Sequence, residues 1–291
     1  MAKNKTGAQW IDILSPTKKD LDWLKKKFHI HPIIIEELKS PSARSRVEAY
    51  DHYLYLIYYF PVYDPQEETS RSTEIDFIIT RNAVVTVRYE EIEALKDIKG
   101  ATGENSLKLA YKLVETLLNF QERQLRHIRE SVEEIGRELF KGREKEVLKK
   151  VSRIKRNVSE YRIIVKHQEV ILKSFLGRGR NFWGASAQVY LDDLLGDHLK
   201  IVNQIDDYRE AISDFEDTNN QIMSLKINDV MKTFTTLSFL TFPFMLLAAI
   251  FSMNTKDTPL VDSPGSFWII LSTMGIAMAT LLTYFKKKGW L

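Results

Sequence analysis

Asp192, Asp193, Asp197 and His198 place four possible cation ligands within seven residues, and Ser252, Met253 and Asn254 end a run, Thr233 to Asn254, that carries no charge. Carboxylate oxygens and imidazole nitrogens are the donors that hold divalent ions. A hydroxyl and an amide at the end of an apolar run offer neutral oxygens where a membrane helix leaves the bilayer. Counting back from Ser252 in steps of three and four meets Ala249, Met245, Phe242, Ser238, Thr235, Met231, Asn228, Ser224, Gln221, Asp217, Asp214, Glu210 and Asp207. Such steps keep to one helix face, so one stripe is largely small, polar or acidic, with Met231, Phe242 and Met245 within it. Several copies around an axis would use it: acidic rings gather cations at one end and Asn254 meets them at the other.

Two apolar runs must position these groups. Phe234 to Phe251 is 18 residues long, about 27 Å of helix, and Ser266 to Phe285 is 20 residues long, each suited to a hydrocarbon core of about 30 Å. Lys226 and Lys232 precede the first run, Lys286, Lys287 and Lys288 follow the second, and Lys256 alone lies between them. The positive-inside rule then puts both termini in the cytoplasm. The opening "MAKNKTGAQW" has no apolar core of a cleaved signal, cysteine is absent, and a net charge of +3 gives no reason to expect nucleic acid.

The remainder predicts an α+β cytoplasmic domain, a long stalk helix and the two membrane helices. "QWIDIL" reads as a strand, "SPTKKDLDWLKKKF" as a helix opened by Ser15, Pro16 and Thr17, "YLYLIYYFPVY" as a strand, and "EIDFIITRNAVVTVRY" as a hairpin turning at Arg81 and Asn82. Apolar residues at helical spacing predict a charged helical hairpin from about Asn105 to Phe175, broken near Gly142, and "GRGRNFWGAS" (177–186) reads as the next break. Helix then runs from about Ala187 into the first span, with Ile205, Tyr208, Ile212, Phe215, Asn219 and Ile222 as its packing face. The expected segments are an α/β domain over 1–100, the hairpin over 101–183, the stalk over 184–232, a pore helix over 233–254, an external loop over 255–265, a second span over 266–285 and a basic tail over 286–291.

"NDVMKTFTTLSFLTFPFMLLAAIFSMN" (228–254) resembles the CorA family of divalent-cation channels, whose first span follows an Asn-Glu-Val-Met-Lys type entry, contains a proline and ends in Gly-Met-Asn. Residues 229 and 252 depart from that pattern. "WIDILSPT", "HPIIIEEL", "YLDD" and "YFKKKGWL" also sit where the family has comparable segments. The resemblance implies a funnel-shaped homopentamer in the lipid bilayer, passive uptake of Mg²⁺ with Co²⁺ or Ni²⁺ tolerated, and gating by cytoplasmic divalent ions bound between protomers. Carried over by position, Asn228 and Met231 match the inner constriction, Asp217 an acidic pore ring, and Met253 and Asn254 the outer mouth. Asp193 matches a regulatory acid, with Asp192 and Asp197 as substitutes. The family's Met-Pro-Glu-Leu loop is Thr258, Pro259, Leu260 and Val261 here, leaving Asp257 and Asp262 as the loop's acids.

Two other readings compete: a Zn²⁺, Co²⁺ or Ni²⁺ transporter or exporter of the same fold, and a membrane-anchored coiled-coil scaffold that conducts nothing. The His29–His31 pair suits structural roles better than a metal. No phosphate-cradling glycine loop, nucleophile with a base, or zinc-type cysteine spacing is present, which argues against an enzyme.

Overall fold

Thr17 starts the first helix because its backbone is extended (φ −86°, ψ 164°) and its hydroxyl accepts from the Asp20 N–H, while the Asp20 carboxylate accepts from the Thr17 N–H at 2.9 Å. The computed structural model describes residues 7–42, 44–98, 102–253 and 264–290. Helix α1 (Lys18–Phe28) follows strand β1 (Ala8–Leu14), and α2 (Pro32–Glu37) comes next. Both histidines of the early pair are caps. His29 ends α1 in the left-handed region (φ 53°), and His31 Nδ1 accepts from the Ile33 N–H at 3.3 Å to open α2.

Strands β2 (Arg46–Ala49), β3 (Tyr53–Asp64), β4 (Thr69–Thr80), β5 (Ala83–Arg88) and β6 (Thr102–Gly103) join β1 in one sheet of order β2-β3-β4-β5-β1-β6. β1 runs parallel to β5, from Gln9 opposite Ala83 to Leu14 opposite Arg88, and the other pairs are antiparallel. Arg81 and Asn82 form the two-residue loop between β4 and β5, closed by the Ala83 N–H donating to Thr80 Oγ1 at 2.9 Å. Arg88, almost fully buried, holds Asp12 through Nε and Nη2 at 3.0 to 3.2 Å and ties β5 to β1.

Tyr53 to Tyr58 are all buried, so β3 reads as one apolar run, with no alternation. Helices on both faces of the sheet explain this. Leu21, Leu24, Ile34 and Leu38 of α1 and α2 pack with Tyr53, Tyr55, Ile57, Val85 and Val87 on one face. On the other, α3 (Ser106–Glu138) and α4 (Glu144–Trp183) bring Phe120 to Phe60, with ring centroids 6.5 Å apart, and Gln168 Nε2 donates to the Tyr59 carbonyl at 2.7 Å.

The break expected across 177–186 narrows to three residues, because α4 continues through Gly177, Arg178, Gly179 and Arg180 to Trp183. A Cβ on Gly179 would lie 2.7 Å from Leu191 Cδ1 and 3.1 Å from the Trp183 ring. Glycine there allows close packing of α4 on the next helix and is not a breaker. Gly184, at φ +94°, makes the actual stop.

Helix α5 (Ala187–Phe251) runs unbroken for 65 residues, about 100 Å. Pro243 sits inside it and withholds the N–H that would reach the Phe239 carbonyl. Helix α6 (Ser266–Lys287) completes the chain's elements. The chain divides into two compact units at Glu216. In the second, Lys232 Nζ donates to the Gly289 carbonyl at 2.6 Å. Among its described residues only Asn219, Thr236 and Leu240 are buried.

Candidate ion pathway and metal sites

Helical geometry puts Asp207, Glu210, Asp214, Asp217, Gln221, Ser224, Asn228, Met231, Thr235, Ser238, Phe242, Met245, Ala249 and Ser252 on one side of α5, and all fourteen are exposed. Ile205, Ile212 and Asn219, on the packing face, are buried. Phe242 and Met245 each expose 69% of their surface. Past Asn219 the other sides of α5 are uncovered as well, as at Leu225, Val230, Leu237 and Phe239; what marks this side is the run of acids and amides along it.

The three serines on this face bond their hydroxyls to the backbone of the preceding turn. Ser224 Oγ donates to the Asn220 carbonyl at 2.9 Å, Ser238 Oγ to Phe234 at 3.0 Å, and Ser252 Oγ to Ala249 at 3.0 Å. Each proton is spent on the helix's own backbone, so the oxygen is left as an acceptor. Ser252 and Met253 close the last turn, with the Ser252 N–H donating to Ala248 at 3.0 Å and the Met253 N–H to Ile250 at 3.2 Å. Asn254, the loop acids Asp257 and Asp262, and the Thr258–Val261 segment lie outside the described residues.

Asp193 and Asp197 stand one turn apart near the start of α5. Tyr111 of α3 donates its hydroxyl to Asp193 Oδ2 at 2.6 Å and lies 3.1 Å from Glu115 Oε1. The bonded Asp193 carboxylate, then burial and Glu115, hold the Tyr111 phenol above its ordinary range. Burial and the nearby Asp193 and Glu122 raise the Asp197 carboxyl, although Lys200 works against them. Two acids one helical turn apart repel one another, which a positive ion between them would relieve. Among the described residues, however, no three His, Asp or Glu side chains are grouped to hold a metal.

The four-residue cluster expected from sequence does not assemble. Successive helix residues point about 100° apart, so Asp192 is exposed away from Asp193, and His198 turns inward and is fully buried. Neither His198 ring nitrogen has a hydrogen-bond partner, and burial lowers the imidazole to about 4. Tyr111 and Glu115 were missed from sequence because only the packing of α3 on α5, distant in the chain, brings them to Asp193.

Comparison with known proteins places this geometry in a family. The family described as "CorA-like Mg2+ transporter protein" matches residues 5–287. The "Cobalt/magnesium transport protein CorA" of Thermotoga maritima is 24% identical, covering 97% of this chain and 83% of the relative. The protein of the same name from Methanocaldococcus jannaschii is 22% identical, covering 97% and 91%. The complete structure of the M. jannaschii CorA magnesium transporter superposes with a TM-score of 0.81 at 20% identity, covering 97% of this chain and 91% of that one. Full-length CmaX gives 0.68 at 13% identity, covering 99% and 90%. The α+β domain, the long helix and the final helix are thus the fold of a known membrane transporter, and the chain belongs to the CorA family of divalent-cation transport proteins, which are not enzymes.

Proposed function

We propose that this chain forms a homopentameric channel of the cytoplasmic membrane, with both termini in the cytoplasm, that admits Mg²⁺ passively and accepts Co²⁺ or Ni²⁺. The observation that carries the reading is the exposed stripe of α5 from Asp207 to Ser252, opposite a face that is buried at Ile205, Ile212 and Asn219. Symmetric copies would turn that stripe into stacked rings. Asp217 would draw cations to the axis, Asn228 and Met231 would form the inner constriction, and Thr235, Ser238, Phe242, Met245 and Ala249 would line the membrane segment. Ser252, Met253 and Asn254 would form the outer mouth.

Mg²⁺ sheds its octahedral water shell reluctantly, so a mouth of neutral acceptors can hold the hydrated ion through its water protons without trapping it. The backbone-bonded serine hydroxyls supply acceptors of that kind. Asp193 and Asp197, with Asp192 as the substitute in another register, would take a regulatory ion whose remaining ligands come from the neighbouring copy, so that high internal Mg²⁺ favours the closed state.

The test is flux of Mg²⁺, Co²⁺, Ni²⁺ and Zn²⁺ into proteoliposomes, with Asn254→Ala beside the parent. Mg²⁺ entry lost in that variant supports the channel and its mouth. Mg²⁺ exclusion with Zn²⁺ entry would replace the substrate, and no flux of any ion would overturn conduction.

A further inference from the structure

A cleft of about 360 Å³ opens between α3 and α5 in the first unit, and none of the stripe residues nor Asp193 lines it. Its polar walls are Asn119, Arg123, Arg126 and Arg129 from α3 with Gln204 and Tyr208 from α5. The three arginines follow one another at three-residue spacing, and Arg123 also lies over the Phe120 ring, 5.8 Å from its centroid.

Three arginines without a carboxylate partner line one cleft. Several cations of α4 are matched: Lys150 with Glu134 and Glu138, Lys155 with Glu216, Arg162 with Asp206, Lys173 with Glu169. Arg126 has Glu122 one turn away, the usual helical partner, but Glu122 turns to Lys200 at 2.7 Å. Arg129 has Glu133 one turn away, and that carboxylate faces Arg137. Among the described residues no acid ion-pairs with Arg123, Arg126 or Arg129. The cleft therefore holds three free guanidinium forks, two amides and a phenol, all able to donate, and its one carboxylate is already neutralised by a lysine.

We propose that this cleft binds a soluble multivalent anion of the phosphate class, such as a di- or triphosphate, bridging α3 to α5. Guanidinium forks match the paired oxygens of phosphate. Three of them in a row favour several linked phosphates over a single small anion, and the volume is within the range of small-molecule sites. Such a ligand would touch the same long helix that carries Asp193 and the stripe.

The experiment is calorimetric titration of the full-length protein in detergent with inorganic pyrophosphate and with ATP, in EDTA and at low ionic strength. EDTA removes divalent ions from every arm, so the outcome is independent of ion transport. Saturable binding of pyrophosphate is expected, weakened at least about tenfold in Arg126→Ala/Arg129→Ala. Arg126→Lys/Arg129→Lys should fall between the two, keeping charge but losing the forks. Lys145→Ala, at an exposed α4 position outside the cleft, should bind as the parent does. Absence of saturable binding, or equal losses in Lys145→Ala, overturns the proposal. So does a drop in oligomer mass in the arginine variants with no anion binding to the parent, since the arginines would then meet carboxylates of a neighbouring copy.

Discussion

Tyr111 on α3 holds Asp193 on α5 through a 2.6 Å hydrogen bond, and it is the contact that joins a candidate regulatory acid to the helical hairpin. A carboxylate that accepts from a phenol must share its charge with that donor, so a metal ion competes with Tyr111 for Asp193. Tyr111→Phe removes the competitor. A hydrogen bond of about 1 kcal/mol corresponds to roughly a fivefold change in binding, so half-maximal protection from proteolysis should need about fivefold less Mg²⁺. Asp193→Asn should move the midpoint the other way. A Tyr111→Phe midpoint equal to or above that of the parent would discard the competition.

His198 predicts an acid-sensitive fold. Its imidazole is buried without partners and is lowered to about 4, against about 6.5 when unfolded. Above pH 6.5 both states are neutral there and no penalty arises. As pH falls from 6.5 toward 4 the unfolded chain takes up the proton first, so stability is lost across that window, by up to about 3 kcal/mol. His198→Leu removes the titrating group and keeps a side chain of similar size at this buried position. Thermal unfolding at pH 7.5 and at pH 5 should show a smaller acid-induced drop in the variant than in the parent. Equal drops would mean that the ring finds a charge partner.

Gly177 and Gly179 sit two residues apart in α4 and should respond to alanine with opposite signs. A Cβ on Gly177 meets nothing within 4 Å, and replacing a helical glycine by alanine is favourable by about 1 kcal/mol. At Gly179 the same Cβ meets Leu191 Cδ1 at 2.7 Å, and Leu191, only 3% exposed, has little room to turn. Overpacking of this kind costs about 1 to 3 kcal/mol, which exceeds the propensity gain. Gly177→Ala should raise the melting temperature and Gly179→Ala should lower it; a rise in both would show that Leu191 yields.

Those two glycines also mark a limit of reading the sequence. "GRGR" looks like a break because nothing local distinguishes a glycine that ends a helix from one that admits a neighbouring helix. Gly184 ends α4 and Gly179 packs it, and only the tertiary contact with Leu191 separates the roles. The hairpin turn and the first helix start were legible because Thr17, Arg81 and Asn82 act on their immediate neighbours. The β1–β5 parallel pair, and β2 and β6 at the sheet edges, were not, because such pairings join segments distant in the chain or too short to carry a period. The α5 stripe could be counted in advance since a helix fixes its own faces. The direction of His198 could not, because it depends on which side α4 covers.

Ser252 stands where the family pattern has glycine, and its hydroxyl proton is committed to the Ala249 carbonyl at 3.0 Å. The side chain is therefore folded against its own helix and adds bulk to the mouth without adding a free donor. If so, removing the hydroxyl alone changes little. Ser252→Ala keeps the Cβ and should alter Mg²⁺ flux by no more than about twofold, the scale of an exposed substitution worth 0.5 kcal/mol. Ser252→Gly removes the Cβ as well and should raise flux beyond that range by letting neighbouring backbones adjust. Flux through Ser252→Ala, Ser252→Gly and the parent, measured in proteoliposomes at matched protein content, separates bulk from chemistry. A large loss in Ser252→Ala would assign the serine oxygen an ion-facing role at this mouth.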